Sequence, residues 1–429
     1  MPNVTAHQQT ALDFLDAFLE SFERVAVLQG YAGVGKTYVV GQWLESVIQR
    51  HPNWDICIAA PTHKALDVLR GKCGHLDVQF RTVASLLGVH ISRNEDGELT
   101  KGISPRDETF DLVLIDEASM VNREDTMRIA ERDFKLIYVG DPAQLPPVGE
   151  QNSPAFEYQN KVLLTEVVRQ QADNPVVGIA TMLRGRIEEG ASFTLADIGA
   201  FYKTEDQRLR KINRETLYKW AESAVQKGLN GRILAYTNAA VLAHNKVMHE
   251  RMHPGTPLFG VGERVLLNDA YTMPKLSSDP DEEPEMLTNG MEFTVKACTL
   301  RDAEEHGVTT YDVELEDKDG RIRMLPVALH EQNAKAVHKQ MTDAIWALRK
   351  TQGKTAAQRN ELARLLKVRK PLNLLAPIRH AYACTVHKSQ GSTYDIAFID
   401  WNDTYRSEDR TKLMYVAATR TANYLVIVQ

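Results

Sequence analysis

One octapeptide constrains this chain more than any other feature. Gly30-Tyr-Ala-Gly-Val-Gly-Lys-Thr37 follows the apolar run VAVLQ (Val25–Gln29) and opens the amphipathic stretch Tyr38–Arg50. A glycine-rich turn between a buried strand and a helix has the P-loop spacing. Gly30, Gly33 and Gly35, with Val34 between the last two, let the backbone turn tightly and aim its N–H groups inward. Together with the helix N-terminus these groups make an anion cradle. Lys36 is placed to reach the β- and γ-phosphates of a nucleotide, and Thr37 to offer its hydroxyl to Mg²⁺. The bland alternative is a glycine-rich turn that holds nothing.

The runs around this loop repeat its architecture. ICIAA (Ile56–Ala60), LVLID (Leu112–Asp116) and LIYVG (Leu136–Gly140) are short and continuously apolar, with helical patterns between them. That rhythm predicts a parallel sheet covered on both faces. It returns in RILAYT (Arg232–Thr237), DIAFID (Asp395–Asp400) and NYLVIVQ (Asn423–Gln429), so a second α/β unit is expected. Asp116 and Glu117 follow four apolar residues and fall at a strand's C-terminal end, where open α/β sheets bind ligands. Asp116 would hold Mg²⁺ through water, and Glu117 would orient and deprotonate the attacking water. In VGDPAQLPPV, Gln144 is a polar side chain at another strand terminus, suited to sensing a γ-phosphate. The Asp141-Pro142 turn makes a purely structural loop the competing reading.

Composition narrows the class. At 429 residues, with 43% hydrophobic and 25% charged residues, the chain suits two to four soluble globular domains. It contains no bilayer-length apolar run and no signal-peptide pattern, so it reads as a cytosolic protein with no membrane partner. Cys57, Cys73, Cys298 and Cys384 are scattered, which supports neither a zinc site nor a disulfide framework. A net charge of −6 speaks against a surface coated in nucleic acid but not against a narrow binding groove. The stretch 335–370 holds ten Lys or Arg against two acids, Asp343 and Glu361, whereas Asp279–Glu285 is acidic and Pro-rich.

Two segments interrupt the α/β rhythm. Gly88–Glu108 carries Asp96-Gly97 between short alternating runs, a hairpin signal. Met252–Pro371 begins with strand-like pieces, among them EFTVKACTL and GRIRMLPV, which suggest a small β-barrel. It ends in a helical hairpin over Ala334–Val368, broken near Thr351–Gly353.

Taken in order, GYAGVGKT, APTHKAL (Ala60–Leu66), LIDEASM, GDPAQLPPV, LTEVVRQ (Leu164–Gln170), TVHKSQGSTYD (Thr385–Asp395) and YVAATR (Tyr415–Arg420) resemble the motifs of a superfamily 1 helicase. The late β insertion is most similar to the Dda/RecD branch. The resemblance implies two RecA-like parallel-sheet P-loop domains, a small β-hairpin insertion, and an SH3-like β-barrel with a helical-hairpin insertion. The implied domains are 1–88 with 109–172, then 173–251 with 371–429. A pin hairpin lies at 89–108, and a barrel insertion at 252–370 has its helical tower at about 331–368. It further implies that Gln8 reads adenine, with Gln9 as the alternative register. Arg169 and Arg420 correspond to two arginine fingers, whose donors would stabilise charge on the γ-phosphate. Gly391 would couple the nucleotide to the strand.

Contacts to nucleic acid are implied at Pro61, Thr62 and His63, at Thr82 and Ser85, at Thr237 and Asn238, and at Thr385, His387 and Lys388. Taken alone, each Ser or Thr is more often a cap or turn residue. The pin's polar tip leaves His90, beside Ile91, as the candidate to stack on a base. The basic stretch 335–370 fits a tower over a groove or a solvated face equally well. The whole reads as an ATP- and Mg²⁺-dependent DNA helicase moving 5′→3′. Single-stranded DNA or a forked duplex is its partner, replication, repair or recombination proteins are its setting, and it would act as a monomer in a bacterial or phage-infected cytoplasm. An RNA-directed helicase and a non-motor P-loop switch are the rival readings.

Overall fold

The computed structural model describes residues 4–93, 99–104, 109–166, 174–201, 206–274, 285–302 and 307–429. Backbone packing divides the chain into two compact units. One comprises Met1–His90, Lys101–Ala243 and Ala383–Gln429, and the other Ile91–Thr100 with His244–Tyr382. Among the described residues, no helix is long and apolar enough to cross a membrane.

The first unit contains two parallel sheets. In chain order the first part runs α1 (Ala6–Glu20), β1 (Val25–Gly30), α2 (Lys36–Arg50), β2 (Ile56–Ala60), α3 (His63–Cys73), β3 (Gln79–Thr82) and α4 (Val83–Leu86). A two-stranded hairpin follows, β4 (Val89–Arg93) with β5 (Leu99–Ile103). The part closes with β6 (Leu112–Ile115), α5 (Arg123–Ala130), β7 (Lys135–Gly140) and β8 (Lys161–Leu164). The sheet order is β3-β2-β6-β7-β1-β8, parallel throughout. Its central strands are apolar along their whole length because helices cover both faces. Leu28, Ile58 and Leu114 pack with Trp43 of α2 on one side, while Val27, Cys57 and Val113 face a second cluster.

The chain continues through α6 (Pro175–Glu188), β9 (Leu209–Ile212), α7 (Arg214–Gln226), β10 (Gly231–Ala235) and α8 (Asn238–Met252). The second unit then supplies β11 (Arg264–Leu267), β12 (Tyr271–Thr272), β13 (Met286–Leu287), β14 (Glu292–Asp302), β15 (Thr310–Glu316) and β16 (Ile322–Ala328). It ends with α9 (Glu331–Lys350), α10 (Ala356–Leu372) and β17 (Ile378–His380). Last come β18 (Ala383–Thr385), α11 (Val386–Ser389), β19 (Tyr394–Asp400), α12 (Trp401–Thr404), α13 (Arg410–Thr419) and β20 (Thr421–Val428). These return to the first unit and complete a parallel sheet of order β18-β10-β19-β20-β9. Ala143 and Leu145, from the loop after β7, lie in the hydrophobic cluster of this second sheet, beside Leu413 and Val416. The two sheets of the first unit are therefore joined by apolar packing at that loop.

In the second unit, β16-β15-β14-β11-β17 form an antiparallel sheet, with bulges in β14 near Ala297 and Asp302. Val265, Val295, Val313 and Leu325 fill its core. The alternation of buried and exposed residues along β15 and β16 follows from covering only one face. Helices α9 and α10 form a hairpin across Thr351–Thr355, and Thr355 with Gln358 makes a capping box at the start of α10.

Candidate active site

Three strand ends converge on one cavity of about 670 Å³. The loop from β1 contributes Gly33, Gly35, Lys36 and Thr37, the end of β6 Asp116 and Glu117, and the loop after β7 Gln144. From the second sheet come Gly391, after α11, and Arg420, at the end of α13. The volume lies within the range of small-molecule sites, roughly 300–1,000 Å³. The sequence motifs from both halves thus line a common cleft.

The P-loop geometry follows from its glycines. Gly35 is the N-cap of α2 at φ 87°, where a side chain would be strained. A Cβ there would also lie 2.8 Å from Nε2 of Gln8. Lys36 Nζ donates to the carbonyls of Gly30 (2.8 Å) and Tyr31 (3.0 Å). Gln8 is buried, whereas Gln9 is exposed and bonds Asp13. Gln8 Nε2 donates to Val34 O at 3.2 Å while its Oε1 accepts from Thr5 N, so one side chain caps α1 and braces the loop. It stands behind the loop rather than among the cavity-lining residues.

Glu117 is the single non-glycine residue at positive φ among those described (φ 51°). Such strain clusters at functional sites. Burial and the adjacent Glu117 charge push the Asp116 carboxyl up to about 6, against the Glu117 N–H and Lys36, which favour its charged form. Arg420 Nη1 lies 3.8 Å from Glu117 Oε1. Arg420 Nε and Gln144 Oε1 are both buried without a hydrogen-bond partner. Unpaired buried polar atoms call for an explanation, and a charged ligand in the cavity they border provides one.

A second network ties the two sheets together beside the cleft. The Tyr415 hydroxyl donates to Asp141 Oδ2 at 2.5 Å and accepts from the P-loop N–H of Ala32 at 3.4 Å. Asp141 is fully buried, and burial pushes its carboxyl up. Arg184 of α6 lies over the Tyr31 ring, 3.2 Å from its centroid, while Tyr31 Oη donates to Glu188. Sequence reasoning gave none of Tyr31, Asp141, Arg184 or Tyr415 a role at the site, and Asp141 entered only as part of a turn. The signal in reach was that Tyr31, Asp141 and Tyr415 fall inside the quoted motifs.

The residues implied for nucleic acid fall at neighbouring strand ends in two pairs. Thr62, just after β2, and Thr82, the last residue of the adjacent β3, cap α3 and α4 through Ala65 N and Ser85 N. Thr237, just after β10, and Thr385, the last residue of the adjacent β18, have Oγ1 accepting from Ala240 N and Lys388 N. Pro61 and Ser85 are partly exposed, and His63, Asn238 and Lys388 are exposed. His387 lies 6.3 Å from Tyr236, ring centre to ring centre. Thr237 differs from the others: its hydroxyl also meets both carboxylate oxygens of Asp403, at 3.0 and 3.2 Å, so its proton is engaged there. Arg169, the Asp96-Gly97 turn and most of the acidic loop Asp279–Glu285 lie outside the described residues, as does the side chain of His90.

An AAA domain family model matches residues 4–206, and a UvrD-like helicase C-terminal domain model matches residues 380–428. The chain is 22% identical to uncharacterized protein R530 of Acanthamoeba polyphaga mimivirus, over 98% of both chains. It is 24% identical to the ATP-dependent DNA helicase Pif1 of Psychrobacter sp. (strain PRwf-1), over 93% of this chain and 64% of that one. Among solved structures, Bacteroides Pif1 bound to ssDNA superposes with a TM-score of 0.53 at 16% identity, covering 100% of this chain and 92% of the other. The Candida albicans Pif1 helicase does so at 0.51 and 17%, covering 100% and 95%.

Proposed function

The chain belongs to the superfamily 1 helicases, beside the Pif1 and Dda proteins, and from that premise we propose how its cleft drives movement along DNA. It is an ATP-dependent DNA helicase. The observation that carries the mechanism is the convergence of Lys36, Glu117, Gln144 and Arg420, from two sheets, on one cavity.

Lys36 exchanges its two carbonyl acceptors for the β- and γ-phosphate oxygens of ATP, which are charged and therefore stronger acceptors. Arg420, held near Glu117, donates to the γ-phosphate as charge develops there. Glu117 is thereby freed to orient and deprotonate the attacking water, and Gln144 senses the same phosphate. Arg169 is proposed as the second finger from its sequence motif. The donor set fits Mg²⁺: the Thr37 hydroxyl and the Asp116 carboxylate, which burial and the Glu117 charge push up, both line the cavity. Held by these two residues, the ion would supply positive charge to offset that of the phosphates. Gln8, braced against Val34, is the proposed adenine reader.

Because Lys36 and Arg420 lie on opposite walls, a triphosphate draws the walls together and its hydrolysis releases them. Tyr415, bonded to both Asp141 and Ala32, would carry that motion between the sheets. Thr62 and Thr82 on one sheet, and Thr385 with Lys388 on the other, would grip the phosphates of single-stranded DNA in turn, with His63, Ser85, Asn238 and His387 beside them. We place translocation in the 5′→3′ sense and assign His90 of the β4–β5 hairpin to strand separation.

The deciding experiment is unwinding of duplexes bearing a 5′ or a 3′ single-stranded overhang. We expect ATP-dependent unwinding of the 5′-tailed substrate and none of the 3′-tailed one. The reverse pattern overturns the polarity, and ATPase activity indifferent to single-stranded DNA overturns the mechanism.

A further inference from the structure

Among the described residues one further cluster brings metal-ligating side chains together, and it lies wholly within the second unit. The ligand atoms of His249, Glu263 and His380 all fall within 4.8 Å of one another. His249 stands near the end of α8, Glu263 just before β11, and His380 at the end of β17. The Glu263 side chain has no solvent exposure. His249 Nδ1 lies 3.0 Å from its Oε2, and His380 Nδ1 lies 2.6 Å from its Oε1. His253, one turn after His249, brings Nε2 to 4.0 Å from Oε2.

Hydrogen bonding makes this more than a crowd of polar groups. His249 Nε2 faces the carbonyl of Thr256 at 3.0 Å. A carbonyl can only accept, so Nε2 carries the proton. The other nitrogen, Nδ1, then points its lone pair at a carboxylate oxygen that already accepts from Gly260 N–H at 2.9 Å. Two lone-pair donors cannot face each other without a positive centre between them. That centre is a second proton or a metal ion. Metal-bound imidazoles usually have their far nitrogen fixed by a carbonyl or carboxylate, and Thr256 supplies that support here.

The local sequence suits the metal. His249-Glu-Arg-Met-His253 places two histidines four residues apart, the second just past the end of α8 with its N–H on the His249 carbonyl at 2.8 Å. In hydrolytic sites the Glu of such a motif is the general base, but Glu250 is exposed and lies 3.9 Å from Lys246. The site is therefore structural rather than hydrolytic. Gly260 makes it possible: a Cβ there would lie 2.0 Å from the His253 ring. With metal–ligand bonds of roughly 2.0–2.1 Å, tetrahedral ligands sit roughly 3.3 Å apart. To reach that spacing, His249 and His380 draw back from Glu263 by roughly 0.3–0.7 Å, while His253 moves in from 4.0 Å.

We propose that His249, Glu263 and His380, completed by His253, bind one divalent transition-metal ion of the zinc class. Val265 and His380 pair across β11 and β17. The ion staples these two strands to the last turn of α8, where the chain enters and leaves the antiparallel sheet. Imidazole and carboxylate ligands select zinc-like ions over Mg²⁺, so the site is distinct in chemistry from the nucleotide cleft.

The test is Co²⁺ titration of the full chain, stripped with a chelator, followed by its visible absorption at neutral pH. The expected result is one equivalent bound with the strong bands of a four-coordinate site, and displacement by Zn²⁺. Zn²⁺ should also raise the thermal unfolding midpoint. His249→Gln and His380→Gln should lose the bands, whereas Lys36→Ala should keep them. Absence of both the bands and the Zn²⁺-dependent midpoint in the unsubstituted chain overturns the proposal and leaves a protonated His–Glu–His cluster. Equal Co²⁺ binding by the histidine variants overturns the assignment to these residues. The titration of the unsubstituted chain decides the matter even if a variant fails to fold.

Discussion

The hydrogen bonds of Lys36 go to backbone carbonyls of its own loop, so removing its side chain should leave the core intact. Lys36→Ala is expected to lower kcat for ATP by about 10²–10³-fold or more, with an unchanged far-ultraviolet spectrum. Normal hydrolysis by that variant would mean the site is elsewhere. Tyr415 presents the opposite case, because its hydroxyl sits on the buried Asp141 carboxylate. Tyr415→Phe leaves that acid with the Ala143 N–H as its remaining described partner. The expected loss is about 1–3 kcal/mol of stability. If the hydroxyl also transmits closure, kcat should fall on the order of tenfold, equivalent to ~1.4 kcal/mol, while nucleotide Kd changes little. A stability loss with normal kcat would reduce Tyr415 to a packing residue.

Helix starts and hairpin turns show how single side chains set whole elements. Thr62, Thr82, Thr237 and Thr385 each end a strand and cap the helix that follows. Thr62→Ala should therefore cost about 1 kcal/mol, and Thr62→Ser should restore it. If the same cap grips a phosphate, the Ala variant also binds single-stranded DNA more weakly. Equal affinities would confine Thr62 to capping. The turn between β15 and β16 is governed by Asp317. Its Oδ1 accepts from Asp319 N and Arg321 N, both at 2.9 Å, and its Oδ2 from Arg323 at 2.7 Å. Burial pushes the Asp317 carboxyl up, but these donors outweigh it and hold the group below its ordinary 3.8. A lowered folded pKa stabilises the protein above the ordinary value, and the contribution is lost as pH falls from there through the lowered one. Asp317→Asn should be less stable than the unsubstituted chain by about 1–3 kcal/mol at pH 7. That gap should close in strong acid, as read by denaturant unfolding against pH. A gap independent of pH would mean the ionised carboxylate is not what holds the turn.

At the scale of the molecule, the cleft's two walls belong to different sheets that share one apolar cluster through Ala143 and Leu145. A ligand contacting both walls must shift their relative arrangement by its differential affinity for the two states. Nucleotide and single-stranded DNA should therefore change each other's affinity by the same factor, with a coupling of about 1–3 kcal/mol. Kd measured for a DNA oligomer with and without a non-hydrolysable ATP analogue, and the converse titration, check this. Independent affinities would sever the link between cleft and strand.

Much of this was legible in the sequence because burial on both faces leaves continuous apolar runs. VAVLQ, ICIAA, LVLI and DIAFID all emerged as strands, with the P-loop, Asp116 and Glu117 at their ends. The short strands QFRT, KVLL and LRKI did not announce themselves, being four residues long and partly polar. Chain order preferred Gln8 but left Gln9 open as the alternative register, since neighbours on a helix differ only in the face they present. Nor could it pair Tyr415 with Asp141, 274 residues away, or gather His249, Glu263 and His380 around one carboxylate. Periodicity and motif spacing record what each segment needs from its own surroundings, and they determined the main strands and the loops at their ends that line the cleft. Which distant side chains meet is decided when those elements pack, because only then does desolvation make one partner better than another.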